Sequence, residues 1–162
     1  MNIVTIKQNI TEKHALEVVK SRSKDLFPVM HSKVYYPYYW FHFSCTVKTL
    51  LGSKSIKASC LTDLCRNQAF TTDYFEKENL EEDSTLIVQD KYSECEAYKT
   101  ARTYVVHSSI HLMKALLLPE VSLIEKERVY KLFWLVECQQ QRSALFLILV
   151  DSTTGKYEIL PD

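Results

Sequence analysis

The sequence predicts an α+β protein of two related lobes, each a helix packed on an antiparallel β-hairpin or three-stranded sheet. Three observations carry that prediction. Residues 128–160 read as two antiparallel strands, an Asp-led turn over 151–155 and a short third strand. Residues 34–71 look like a diverged copy of that stretch. A helix-start signal precedes each copy, Thr11-Glu12 in the first and Ser93-x-x-Glu96, the pattern of a capping box, in the second.

The copies align residue by residue. Val34 and Tyr35 fall on Val129 and Tyr130, Tyr38 on Phe133, and Tyr39 on Trp134. Leu61-Thr62-Asp63 falls on Leu149-Val150-Asp151, which sets Asn67 opposite Gly155. Gly and Asn are the residues that enter the left-handed region at least cost. An Asp at the start of such a turn bonds the amides that follow it. Two copies are too few for a solenoid. The expected organisation is therefore a first lobe over 1–75, an acidic linker over 76–92 and a second lobe over 93–162.

Taken in order, residues 3–6 alternate weakly as a short strand. Ala15, Val18, Val19 and Leu26 recur at near-helical spacing, giving a helix from Thr11 to about Lys24 that Pro28 ends. Residues 34–50 form a strand dense in aromatics. Its first part, Tyr35 to Trp40, is apolar on both faces, so both should be covered, and Pro37 marks an edge or bulge. Leu51-Gly52-Ser53-Lys54 is the turn and 55–62 the return strand. Within the linker, acidic around 76–83, Leu86-Ile87-Val88 reads as a short strand. The longest helix runs from Ser93 to about Leu118, where Pro119 stops it. Its buried stripe is expected through Ala97, Ala101, Tyr104/Val105, Ser108, Leu112 and Ala115. Residues 128–138, a polar turn over 139–143 and a strand over 144–151 close the chain. Residues 145–150 are continuously apolar, as in a central strand covered on both faces.

The second copy resembles the PepSY-type module. The likeness is carried by a helix with an early alanine, an aromatic-rich strand, and Val150-Asp151-Ser152-Thr153-Thr154-Gly155-Lys156, which is similar to that family's V-D-x-x-T-G-K turn. It covers residues 93–160 well and 11–72 weakly, because the first copy has Cys65-Arg66-Asn67-Gln68 where the second has Thr-Thr-Gly-Lys. The resemblance implies a non-catalytic module. PepSY modules are mostly extracytoplasmic, whereas the first residues here lack the charged-then-apolar pattern of a signal peptide. The expectation is a cytoplasmic protein.

Composition narrows the function classes. The 162 residues, 46% hydrophobic, suffice for a buried core. Twenty basic and twenty acidic residues cancel, leaving no global footprint for nucleic acid or an anionic membrane and room only for a local patch. No apolar run reaches the roughly 18 residues that span a bilayer, so no membrane insertion is expected. Two glycines, Gly52 and Gly155, cannot build a phosphate-cradling loop or a dinucleotide fingerprint. Five cysteines without a framework read as reduced thiols, and no cofactor is implied.

Each candidate chemistry competes with a plainer reading. His107 and His111 share a helix face at zinc-compatible spacing, yet no third ligand and no adjacent Glu accompany them. Cys60, Cys65, Cys45 and His42 could converge around the first Asp-turn, but at C-x4-C spacing rather than that of a zinc knuckle. Cys65, in the turn, is the plausible thiol nucleophile. Asp63 and Asp151 read as turn residues, not as a carboxylate pair. The cluster Tyr35, Tyr36, Tyr38, Tyr39 and Trp40 is either core or an outward sticky face, since Tyr and Trp anchor interfaces. The expected function is non-catalytic protein or peptide binding through that strand, regulatory or inhibitory, with homodimerisation as an option. The alternatives are a thiol- or metal-dependent enzyme using Cys60, Cys65 and His42, and a small-molecule sensor with an apolar pocket between helix and sheet.

Overall fold

A computed structural model describes residues 3–73, 75–80, 86–115, 117–140 and 145–161. Residue 74 of the expected first lobe, 81–85 of the expected linker, 116 near the expected helix end, and 141–144 of the polar turn and following strand lie outside the described residues. The elements in chain order are β1 (Ile3–Ile6), α1 (Glu12–Lys20), β2 (Leu26–Thr49), β3 (Gly52–Asp63), β4 (Gln68–Thr71), β5 (Lys77–Leu80), β6 (Leu86–Ile87), α2 (Glu94–Met113), β7 (Glu120–Gln140), β8 (Leu145–Asp151) and β9 (Tyr157–Ile159).

The expected pair of helix-on-small-sheet lobes is corrected. Among the described residues strands dominate, and they join in one nine-stranded sheet of order β4-β3-β2-β7-β1-β5, with β6 on β2, β8 on β7 and β9 on β8. The sheet is mixed, because β1 runs parallel to β7 and β6 parallel to β2. The source of the difference is the length of β2 and β7, 24 and 21 residues. Their first parts, 26–33 and 120–127, do not read as strands in the sequence. Pro28 lies inside β2 instead of ending α1, which stops earlier at Lys20. A proline withholds only its own ladder donor, so a strand can pass through it where that donor is not needed.

Two compact units form, and neither is a continuous stretch of chain. The first gathers Met1–Tyr36, Glu76–Val88 and Tyr130–Asp162. In it α1 buries Ala15 and Val19 against Trp134, Val136 and Cys138 of β7 and Ile148 and Val150 of β8. Thr11 caps the helix, its hydroxyl accepting from the His14 amide. Just before that cap, the amides of Asn9 and Ile10 both donate to the Ser152 carbonyl. The second unit gathers Pro37–Phe75 and Gln89–Val129. In it α2 buries Ala97, Ala101 and Val105 against Phe41, Phe43 and Cys45 of β2, Cys60 of β3, and Leu64. Ser93 and Glu96 close a complete capping box, and the amides of Lys91 and Tyr92 just before it both donate to the Leu64 carbonyl. Each helix thus docks on the hairpin of the other copy.

The two Asp-turns match bond for bond. Asp63 Oδ1 accepts from the Cys65 and Arg66 amides, and Asp151 Oδ1 from the Thr153 and Thr154 amides. Asn67 (φ 53°) donates its amide to the Asp63 carbonyl, and Gly155 (φ 72°) donates to that of Asp151. The Leu64 amide donates to Pro37 O, and the aligned Ser152 amide to Leu132 O.

Two other expectations change. α2 ends at Met113 with Lys114 left-handed (φ 48°), so Pro119 is not its stop. β8 is buried on the face toward α1, where Ile148 and Val150 lie, whereas Leu147 and Leu149 on the other face are half-buried and Leu145 is exposed.

Candidate functional site

None of the five aromatic residues expected to face a partner is exposed. Tyr35 and Tyr38 are buried, and Tyr36, Tyr39 and Trp40 are half-buried. Each ring has interior work. Tyr36 meets Phe133 edge-on with centroids 5.6 Å apart, and Tyr38 meets Phe70 at 6.0 Å. Trp40 stacks on His42 at 5.7 Å. Tyr39 stacks on Phe41 and donates its hydroxyl to Glu94 Oε2 at 2.8 Å. Burial, reinforced by the Glu94 carboxylate, pushes the Tyr39 hydroxyl up to about 12, so it stays a donor.

The cysteines and His42 do not converge. Cys60 pairs with Phe41 and Ser59 with His42 across the antiparallel β2–β3 ladder. Neighbouring ladder positions point to opposite faces, so the Cys60 thiol lies under α2 while His42, its Nδ1 2.6 Å from Ser59 Oγ, lies on the other face. Burial pushes the Cys60 thiol up to about 12 and raises Cys45 and Cys138 as well, which keeps all three as thiols rather than nucleophilic thiolates. Cys65, half-buried, directs its Sγ toward the Gln89 carbonyl at 3.7 Å. His107 and His111 are both exposed on α2. Among the described residues no group of three or more His, Cys, Asp or Glu side chains is placed to hold a metal ion. Asp63 and Asp151 serve their own turns.

Among the described residues the four most exposed large apolar side chains, Leu50, Leu51, Leu112 and Leu118, belong to the second unit, while Phe27, Val29, Leu86, Leu145 and Ile159 of the first unit are exposed as well. Leu50 and Leu51, at the tip of the β2–β3 hairpin, are 87% and 94% exposed. Thr49 pairs with Gly52 across this turn, and Gly52 (φ 116°) supplies the positive φ that closes it. Turn tips ordinarily carry Gly, Asn, Asp or Ser, which bond or bend the backbone; two leucines there do neither.

Leu112 belongs to the same end. It lies seven residues beyond Val105 and eleven beyond Ala101, hence within about 20° of both around the helix. It continues the buried stripe of α2 yet is 79% exposed. Contacts along the helix fix which end this is. Glu94 meets Tyr39, Tyr98 meets Phe41 and Phe43, and Ser109 hydrogen-bonds Cys45, so α2 and β2 advance in the same direction. Past Cys45 the strand leads to Leu50 and Leu51, and past Ser109 the helix leads to Leu112. Leu117 and Leu118, 61% and 77% exposed, follow in the short connection from α2 to β7.

Compared with known protein families, curated proteins and solved structures, the chain matches none. No described helix is long and apolar enough to cross a membrane. The leucine apex had a signal in the sequence that periodicity hides: a Leu-Leu pair directly before a turn glycine, and a helical stripe running on to Leu112. Read by spacing alone, Leu112 is core.

Proposed function

We propose that the protein is a non-catalytic binding protein that makes its contact through the leucine apex of the second unit: Leu50, Leu51, Leu112, Leu117 and Leu118. The observation that carries this is the near-complete exposure of Leu50 and Leu51 on a turn that has no structural use for them. Covering a leucine side chain releases about 1.5–3 kcal/mol, so the pair alone supplies a substantial contact. The aromatic strand, expected to meet a protein or peptide partner, has its rings buried or half-buried, and the proposal moves the contact to the exposed leucines. Support for a non-catalytic role comes from Cys60 and His42 facing opposite sides of the sheet and from the protonated state of the buried thiols. The likeness of Val150–Lys156 to the PepSY-type turn points the same way, since PepSY modules are usually non-catalytic.

A photo-crosslinking residue placed at position 51, in the cell that makes the protein, tests this reading. Position 13, an exposed lysine on α1, serves as the control. Expected are adducts from position 51, to protein or to lipid, that are lost when Leu50 is also changed to Ser, and none from position 13. Equal adduct yields at the two positions, or adducts indifferent to Leu50→Ser, would overturn the proposal.

A further inference from the structure

The charges around the apex are segregated, although the chain as a whole is neutral. Residues 42–62, which hold the hairpin, and 97–119, which hold most of α2 and its exit, contain Lys48, Lys54, Lys57, Lys99, Arg102 and Lys114 and not one Asp or Glu. All twenty acidic residues lie elsewhere. Lys48 and Lys54 flank the Leu50–Leu51 turn on its two strands, and Lys114 directly follows the end of α2; all three are exposed. Lys48, Lys54 and Lys114 are thus the charges nearest Leu50, Leu51 and Leu112 along the chain, and the nearest acid is Glu120, exposed two residues past Leu118.

We infer that the leucine apex, with Lys48, Lys54 and Lys114 beside it along the chain, docks on the interface of an anionic lipid bilayer. The inference rests on the reading of the apex as the contact surface and names what it meets. A second copy of the chain is disfavoured, because pairing two hairpin tips brings Lys48 and Lys54 of one against those of the other. A protein cleft is disfavoured by chemistry. Among the described residues the exposed apolar side chains of the apex are leucines, without the Tyr, Trp or Arg anchors that fix register in protein interfaces. A fluid apolar phase asks for no register. Its anionic headgroups attract these lysines, while the leucines enter the acyl boundary, and no spanning segment is needed.

Flotation of the intact protein with vesicles tests this. Vesicles of phosphatidylcholine alone are compared with equimolar phosphatidylcholine and phosphatidylglycerol. The protein is expected to float with the anionic vesicles and to remain in solution with the neutral ones. Leu50→Ser with Leu51→Ser is expected to weaken partitioning by about a hundredfold, and Lys48→Gln or Lys54→Gln by about fivefold each. Salt at 1 M, where screening acts over roughly 3 Å, releases the protein. Absence of flotation on anionic vesicles, or flotation unaffected by the double leucine change, overturns the lipid assignment. If flotation fails while a crosslinker at position 51 captures a discrete protein, the lipid inference falls and the apex reading stands. If the crosslinker is silent as well, both fall.

Discussion

Trp134→Ala is expected to lower the unfolding free energy by about 3–5 kcal/mol in equilibrium urea denaturation. Trp134 is almost fully buried among Ala15 and Val19 of α1 and Val136, Ile148 and Val150 of the sheet. Its removal empties the site where helix meets hairpin, and surrounding side chains fill such a space only in part. The indole also has a polar duty, since its Nε1–H donates to the Ile10 carbonyl at 2.8 Å. Ile10 stands just before the α1 cap, with its own amide bound to Ser152. Trp134→Phe retains most of the volume but orphans that carbonyl, and is expected to cost about 1–3 kcal/mol. The loss is large against a total stability of roughly 5–15 kcal/mol. A cost under 1 kcal/mol for Trp134→Ala would show that α1 does not dock on the second hairpin.

Lys131→Met carries the second large expectation, a loss of about 3–5 kcal/mol at neutral pH. The Lys131 Nζ and Asp151 Oδ2 lie 2.6 Å apart with both side chains mostly buried. Removing the lysine strands a carboxylate inside the fold, although Asp151 keeps its bonds to Thr153. Lys131→Met combined with Asp151→Asn is expected to recover most of the loss, because the amide oxygen still accepts the turn amides while the charge is gone. The pH dependence has a definite sign. Burial pushes the Asp151 carboxyl up, but the Lys131 charge and hydrogen bond, with the Thr153 donors, outweigh it and hold the pKa below its ordinary 3.8. Stability from this group is therefore fully present above 3.8 and lost as pH falls through the lower folded value. In Lys131→Met that acid-side loss is expected to disappear, because burial then dominates. An acid titration of stability identical in the two proteins would contradict the assignment.

The parts of this fold legible in the sequence are those fixed by local chemistry. Thr11 and Ser93 mark helix starts because a hydroxyl before a helix caps its free amides. Asp63 and Asp151 mark turns, and Asn67 and Gly155 the left-handed positions, because few residue types serve there. The pairing of helix with hairpin is not local. Ala15 and Val19 on one helix, and Ala97, Ala101 and Val105 on the other, are small stripes that suit either aromatic strand, and nothing in the spacing says which hairpin each will choose. The length of β2 was hidden by Pro28, whose missing donor reads as a stop, and the early part of β7 by mixed polar residues over 120–127. The candidate site was hidden for a similar reason. An exposed leucine and a buried one have the same spacing, and Leu112 lies on the stripe of Val105 although one is exposed and the other buried.

Fold and function meet in the proposal that Leu50 and Leu51 contribute to a contact surface and not to folding. Equilibrium urea denaturation of the Leu50→Ser/Leu51→Ser protein tests it most directly. The predicted result is an unfolding free energy within about 0.5 kcal/mol of the parent, the range of surface changes that touch nothing. A fall of several kcal/mol, the size of a core truncation, would place both leucines in the interior of the folded protein and contradict the claim.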